Sequence, residues 1–198
     1  MQKQWSDVDN YLIENLIPGD TVLSLVLENN QRNGLPAHDV AANQGQLLAL
    51  FMRMVGAKSV LEIGTLGAYS TIWMARELPP GGRLITLEAD PLHARVAREN
   101  ITLAGLDKVV TLREGPALDS LATLEDAAPF DVIFIDADKP NNPYYLQWAL
   151  KYSRPRTLII GDNVVRDGEV TNPNSTDARV QGVRRFIEMM HNDPRLTV

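Results

Sequence analysis

Cysteine is absent from the 198-residue sequence, which excludes a disulfide framework, a thiolate metal site and a cysteine nucleophile. Histidine is scarce: His38, His93 and His191 lie far apart and suggest no imidazole-rich metal centre. No apolar run approaches the roughly 18 residues that a membrane span needs. The opening MQKQWSDVDNYL lacks the apolar stretch of a secretory signal. Basic residues are outnumbered, with 19 Lys and Arg against 25 Asp and Glu and a net charge of -6. That balance disfavours a large nucleic-acid footprint, which needs clustered Lys and Arg. Repeats, low-complexity tracts and linkers are missing too. These features describe a cytoplasmic protein without a membrane anchor, and the length suits one domain over 1–198.

The N-terminal part has helical periodicity over 8–28, broken into two pieces at Pro18-Gly19. Val8, Tyr11, Leu12 and Leu16 are the expected buried stripe of the first piece. A loop follows at 33–36, and 45–55, apolar nearly all round, is expected as a buried helix. Short apolar runs then alternate with helical stretches. Strands are expected at 59–63, 83–88, 109–113, 131–135 and 156–161. Helices are expected at 69–78, at 91–104, and from Pro143 to about Tyr152 with Asn142 as cap. Thr176 is placed to cap a last helix whose stripe is Val180, Val183, Ile187 and Met190. Strands apolar on both faces, set between helices, imply a parallel sheet covered on both sides. Right-handed crossovers make it a doubly wound α/β sheet, in which ligands bind beyond the carboxyl ends of the strands.

Those strand ends carry the informative residues. The first strand runs into Glu62-Ile63-Gly64-Thr65-Leu66-Gly67-Ala68-Tyr69-Ser70. Gly64 and Gly67 allow a tight turn and a close approach of backbone to a ligand. The pattern is not GxGxxG, and a plain glycine turn also fits these residues. Glu88 ends the second strand, where an acid can accept both hydrogen bonds of a ribose diol. In isolation a solvated carboxylate fits equally well. Taken with the glycine turn, nucleoside binding is the better account, and it leaves NAD and S-adenosylmethionine both open. After the third strand, Glu114-Gly115-Pro116-Ala117 offers small residues to an adenine ring, or simply a turn.

The fourth strand ends in Asp136-Ala137-Asp138-Lys139 and the fifth in Asp162-Asn163. Three or four oxygen-bearing side chains thus converge on one edge of the sheet, and clustered carboxylates usually need a cation. Oxygen donors without His or Cys suit Mg²⁺ first, with Mn²⁺ or Ca²⁺ as alternatives. The other reading is that these acids cap helices or form surface ion pairs.

With these motifs the chain resembles the metal-dependent class I O-methyltransferases, the group that includes catechol and caffeoyl-CoA O-methyltransferases, and it is most similar to their bacterial branch. The likeness runs from about Gly45 to Gly168. VLEIGTLGAYS and LITLEADP resemble the family's cofactor motifs, FDVIFIDADK its metal and catalytic motif, and IIGDNVVRDGEV its second metal motif. The resemblance implies a Rossmann-like methyltransferase fold, S-adenosylmethionine as cofactor and a divalent metal held by Asp136, Asp162 and Asn163. It implies cofactor contacts at Val40, Glu62, Gly64, Ser70, Glu88, Ala117 and Asp136, and Lys139 as general base. Asp138 lies beside the ligands without matching one, placed to orient Lys139 or touch the substrate. The expected reaction is transfer of a methyl group to a hydroxyl of a small catechol-like or other vicinal-diol acceptor.

In this family residues before 45 shape the substrate mouth and often help form a homodimer. Segment 1–44 is therefore expected to be a helical substrate and dimer region, and 45–198 the cofactor- and metal-binding core. Two departures stand out. An antiparallel hairpin completes the family's sheet, whereas this sequence reaches Arg195-Leu-Thr-Val198 where that hairpin would begin, so either the sequence is cut short there or the sheet edge is incomplete. Ser153-Arg154-Pro155-Arg156 replaces the usual Gly-Gly before the fifth strand. Competing functions are an NAD-dependent dehydrogenase, a non-catalytic cofactor-binding module, and a methyltransferase of a hydroxylated tRNA base using Arg154, Arg156, Arg166, Arg184 and Arg185.

Overall fold

The computed structural model describes residues 2–198. Its strands are β1 (Ser59–Ile63), β2 (Arg83–Glu88), β3 (Val110–Glu114), β4 (Val132–Ile135) and β5 (Leu158–Gly161). They form one parallel sheet in the order β3-β2-β1-β4-β5. The helices are α1 (Gln2–Leu16), α2 (Thr21–Arg32), α3 (Ala42–Val55), α4 (Tyr69–Ala75), α5 (Pro91–Leu103), α6 (Ala117–Leu121), α7 (Asn142–Lys151) and α8 (Ala178–Asn192). This is the doubly wound Rossmann-like α/β architecture that the alternation of apolar runs and helices implies. The strand order reverses between β1 and β4, so a crevice opens beyond their carboxyl ends.

Successive strand residues face opposite sides of a sheet. Val60, Leu84, Val110, Val132 and Phe134 point to one face and pack with Val26 of α2, Met52 of α3, Ile72 of α4 and Ile101 of α5. Leu61, Ile63, Leu87, Ile133 and Ile135 point to the other and pack with Leu121 of α6, Leu146 of α7 and Phe186 of α8. Two-sided burial is why β4 reads as an uninterrupted apolar run and β1 as one broken only by the buried Glu62. At the outer edge, β5 is only partly buried along its length. Among the described residues the sheet has no antiparallel strand.

Several local expectations change. In α1, Val8, Tyr11, Leu12 and Leu16 are exposed, up to 72% at Leu16, so they are not a buried stripe. An amphipathic pattern identifies a common face without supplying an element to cover it. Helix α4 ends at Ala75, ahead of the Pro79-Pro80 turn. Asn142 lies inside α7 rather than capping it, fully buried, and its amide has no hydrogen-bond partner. Asp177, not Thr176, caps α8 by accepting from Arg179 N. On α8, Val180, Val183 and Phe186 form the buried stripe, while Ile187 is 40% exposed.

Candidate functional site

The turn after β1 is built by two glycines whose neighbours are protein. Gly64 has φ +99, and a Cβ there would overlap the backbone carbonyl of Asp136. A Cβ on Gly67 would overlap the side chain of Asn30. The close approaches that these glycines permit therefore join β1 to β4 and the turn to α2.

Behind the turn lies Glu62, fully buried. Ser70 donates to its Oε1 at 2.6 Å, Thr86 donates to its Oε2 at 2.7 Å, and Thr71 donates to Oε2 as well. Burial nevertheless dominates and pushes the Glu62 carboxyl up to about 7, with the nearby Asp136 charge adding to the rise. Ser70 stands between this buried acid and the open crevice.

Glu88, at the end of β2, is held by backbone amides. Its Oε2 accepts from Leu66 N at 2.8 Å and Thr65 N at 3.2 Å, and its Oε1 accepts from Asp90 N at 2.9 Å. The acid thus locks the glycine turn while its carboxylate stays at the crevice wall.

An amide network fixes the opposite lip. Asn100 donates to Asn30 Oδ1 and to the Gly67 carbonyl, both at 2.8 Å, and accepts from Asn29 at 2.9 Å. Asn30 in turn donates to Asp39 Oδ1 at 3.0 Å. Asn30 and Asn100 are buried. Burial raises the Asp39 carboxyl, against the Asn30 hydrogen bond.

At the end of β4, Lys139 is buried and donates from Nζ to Asp136 Oδ1 at 2.7 Å. Asp138 does not orient Lys139. It accepts instead from Tyr145 Oη at 2.5 Å and from Asn141 Nδ2 at 2.6 Å. Burial, followed by that hydrogen bond and the Asp138 charge, raises the Tyr145 hydroxyl, so it remains a donor. After β5, Asp162 Oδ1 accepts from Asn163 N at 2.6 Å, and Asp162 Oδ2 accepts from Gln44 Nε2 at 2.5 Å.

These walls enclose one crevice of about 1290 Å³. Val40, Gly64, Ser70, Glu88, Ala117, Asp136, Lys139 and Asn163 all line it. Glu62 and Asp162 do not: the first stands behind Ser70 and the second is turned to Gln44. Gln44, Tyr145 and Asp39 went unread as site residues in the sequence. Gln44 meets Asp162 only through the fold, and Tyr145 reads as part of a core stripe.

The donors fit a hard divalent cation. Asp136, Asp162 and Asn163 offer oxygen only, and the Asp136 Oδ2 and Asn163 Oδ1 atoms carry no hydrogen bond among the described residues. Among those residues there is no cluster of three or more His, Cys, Asp or Glu, so any site here is two carboxylates and one carboxamide.

Comparison with known proteins decides the family. An O-methyltransferase family model matches residues 19–198. The chain belongs to that family. A catechol O-methyltransferase of Niastella koreensis is 52% identical over 188 residues, covering 94% of this chain and 85% of that one. The structure of a Bacillus cereus O-methyltransferase in complex with SAH has 55% identity and a TM-score of 0.97, covering 100% of this chain and 90% of that one. A Streptomyces achromogenes O-methyltransferase involved in tomaymycin synthesis, solved with SAM, has 46% identity and a TM-score of 0.92, covering 97% and 87%. Family membership displaces the dehydrogenase reading.

Three of the five arginines weighed for a tRNA acceptor are engaged within the protein. Arg154 pairs with Asp131, Arg185 pairs with Glu188, and Arg184 is bonded to the carbonyls of Glu169, Val170 and Asn172. No helix among the described residues is long and apolar enough to cross a membrane.

Proposed function

We propose that the protein transfers the methyl group of S-adenosylmethionine to a hydroxyl of a catechol-like small molecule with the help of a divalent cation, Mg²⁺ in the first instance. One observation carries this reading: a single crevice is lined at one side by the glycine turn, Glu88 and Ala117, and at the other by Asp136, Lys139 and Asn163. The relatives bound to SAH and SAM, and the relative named a catechol O-methyltransferase, support it.

The cofactor supplies an electrophilic methyl carbon whose bond to sulfur breaks as the acceptor oxygen attacks, the electron pair staying on sulfur. A bound divalent cation would supply positive charge that favours the ionised form of an acceptor hydroxyl, whose ordinary pKa is about 10 for a phenol. Asp136, Asp162 and Asn163 would hold that cation. Val40, Gly64 and Ser70 would seat the methionine end, Glu88 the ribose hydroxyls and Ala117 the adenine. Glu62 would act through Ser70. In its neutral form the Lys139 amine, held against Asp136, would take the hydroxyl proton at Nζ. Holding the two reactants in line supplies much of the acceleration.

His38, Asp39 and Val40 at the lip support a mouth-shaping role for 1–44, ahead of the core at 45–198. The exposed Trp5, Tyr11, Leu12 and Leu16 of α1 support a homodimer. A cytoplasmic location suits a chain without cysteine. The test is calorimetric titration with S-adenosylmethionine, followed by methyl transfer to a catechol panel with Mg²⁺ and with chelator. Cofactor binding and chelator-sensitive methylation are expected. Equal turnover in chelator overturns the metal's part, and absence of cofactor binding overturns the whole reading.

A further inference from the structure

The cationic side chains around the crevice are not equally committed. Lys139 is paired with Asp136 and Arg179 with Asp177. Arg166, which lines the same crevice, makes no hydrogen bond or ion pair among the described residues, and its Nε is buried without a partner; its charge acts on Asp177, a carboxylate already paired with Arg179. A buried guanidinium N–H without an acceptor costs free energy unless a ligand completes it.

The backbone around it is strained. Arg166, Asp167 and Gly168 have φ of 49, 54 and 87. Two successive non-glycine residues in the left-handed region persist only where the surroundings fix them, and such positions cluster at ligand clamps. What fixes this loop is Arg184, which donates to the carbonyls of Val170, Glu169 and Asn172. The strained loop is thus anchored from α8 and presents Arg166 to the crevice.

The acids that share the crevice do not neutralise it. Asp136 holds Lys139, Asp138 is occupied by Tyr145 and Asn141, Glu88 by backbone amides and Asp39 by Asn30. The exposed Asp167 acts on Arg179, and Asp119 stands beside Ala117 on the opposite side from the β5 loop. Arg166 follows Asp162 and Asn163 in the chain, so it belongs to the acceptor wall of the crevice.

We infer that Arg166 is a specificity-determining residue that receives a carboxylate on the acceptor, so that the favoured substrates are catechol-like acids rather than neutral or cationic catechols. The inference rests on the methyltransferase reading proposed above and narrows its substrate class. A guanidinium matches a carboxylate in geometry and charge, and charge-assisted hydrogen bonds are the strong ones.

The test compares a dihydroxybenzoate with its primary amide, both with S-adenosylmethionine and Mg²⁺, in the wild type and in Arg166→Gln. The wild type is expected to favour the acid in kcat/KM. In Arg166→Gln the acid-to-amide ratio is expected to fall by about tenfold, the loss that one charge-assisted hydrogen bond represents. Taking the ratio between proteins removes the intrinsic difference in reactivity of the two compounds. Arg166→Glu is expected to move preference toward a dihydroxybenzylamine.

An unchanged ratio, with both substrates losing turnover together, means that Arg166 only supports the loop and overturns the inference. In the unmodified protein, added salt is expected to raise KM for the acid and leave that for the amide nearly constant. Equal salt effects also overturn it. Methylation of neither compound by protein that binds the cofactor normally overturns the catechol reading itself, and this inference with it. Methylation of the amide with an unchanged ratio overturns this inference alone.

Discussion

Gln44 Nε2 donates to Asp162 Oδ2 at 2.5 Å, joining the first turn of α3 to the end of β5 across 118 residues of sequence. Asp162 Oδ1 meanwhile accepts from Asn163 N. The carboxylate is therefore fixed at both oxygens, in the way that an outer partner orients a metal ligand. Replacing Gln44 by Leu is expected to weaken Mn²⁺ or Mg²⁺ binding by about 10- to 100-fold, the range for loss of such a partner. Calorimetric metal titration checks this without any turnover. Unchanged affinity in a folded Gln44→Leu protein would show that Asp162 needs no such orientation.

Asp136 and Lys139 act as a unit. Asp136→Ala is expected to abolish metal-dependent methylation and to leave the buried Lys139 Nζ without its partner. Lys139→Ala is expected to lower kcat by about 100-fold or more, as loss of a general base does, with a smaller effect on cofactor affinity. Kinetics and cofactor titration on the same preparation separate the two. Equal loss of both quantities argues for a positioning role.

Glu62 makes stability depend on pH. Its folded carboxyl is raised from 4.5 to about 7 by burial, so the native state binds more protons than the unfolded chain between those values. Its contribution is fully present below the unfolded value and is lost as pH rises through about 7. A shift of this size corresponds to roughly 3 kcal/mol at most. Glu62→Gln is expected to flatten the fall in Tm between acid and alkaline buffer. Parallel Tm profiles for the two proteins would contradict this.

Gly64→Ala tests the junction between β1 and β4. The new Cβ meets the Asp136 carbonyl at a backbone with φ +99, so either strand end must move. The expected loss is about 3 kcal/mol, from steric overlap and left-handed strain together. Thermal unfolding measures it. A Tm within a degree or two of the wild type would mean that the strand ends can separate freely.

The central strands were plain in the sequence. β1 and β2 fall where their apolar runs begin and end, because burial on both faces leaves a continuous signal bounded by turn residues. Asp136, Lys139 and Asn163 line the crevice because a parallel sheet sends its strand ends to one edge. Other features depend on distant partners. Gln44 gives no local hint of Asp162, and nothing in the sequence separates Arg166 from Arg154, Arg184 and Arg185, which the fold engages elsewhere. The stripe on α1 has the right periodicity, yet the described residues leave Tyr11 and Leu16 65% and 72% exposed.

The amides of Asn30 and Asn100 make two walls of the crevice mechanically one piece. Asn100 grips the glycine turn through the Gly67 carbonyl, and Asn30 carries that grip to Asp39 on the lip. The socket around Gly64 and Val40 cannot widen without breaking buried hydrogen bonds. The crevice thus has a back wall bound through buried side-chain amides and a front loop tied through its carbonyls to a single arginine of α8.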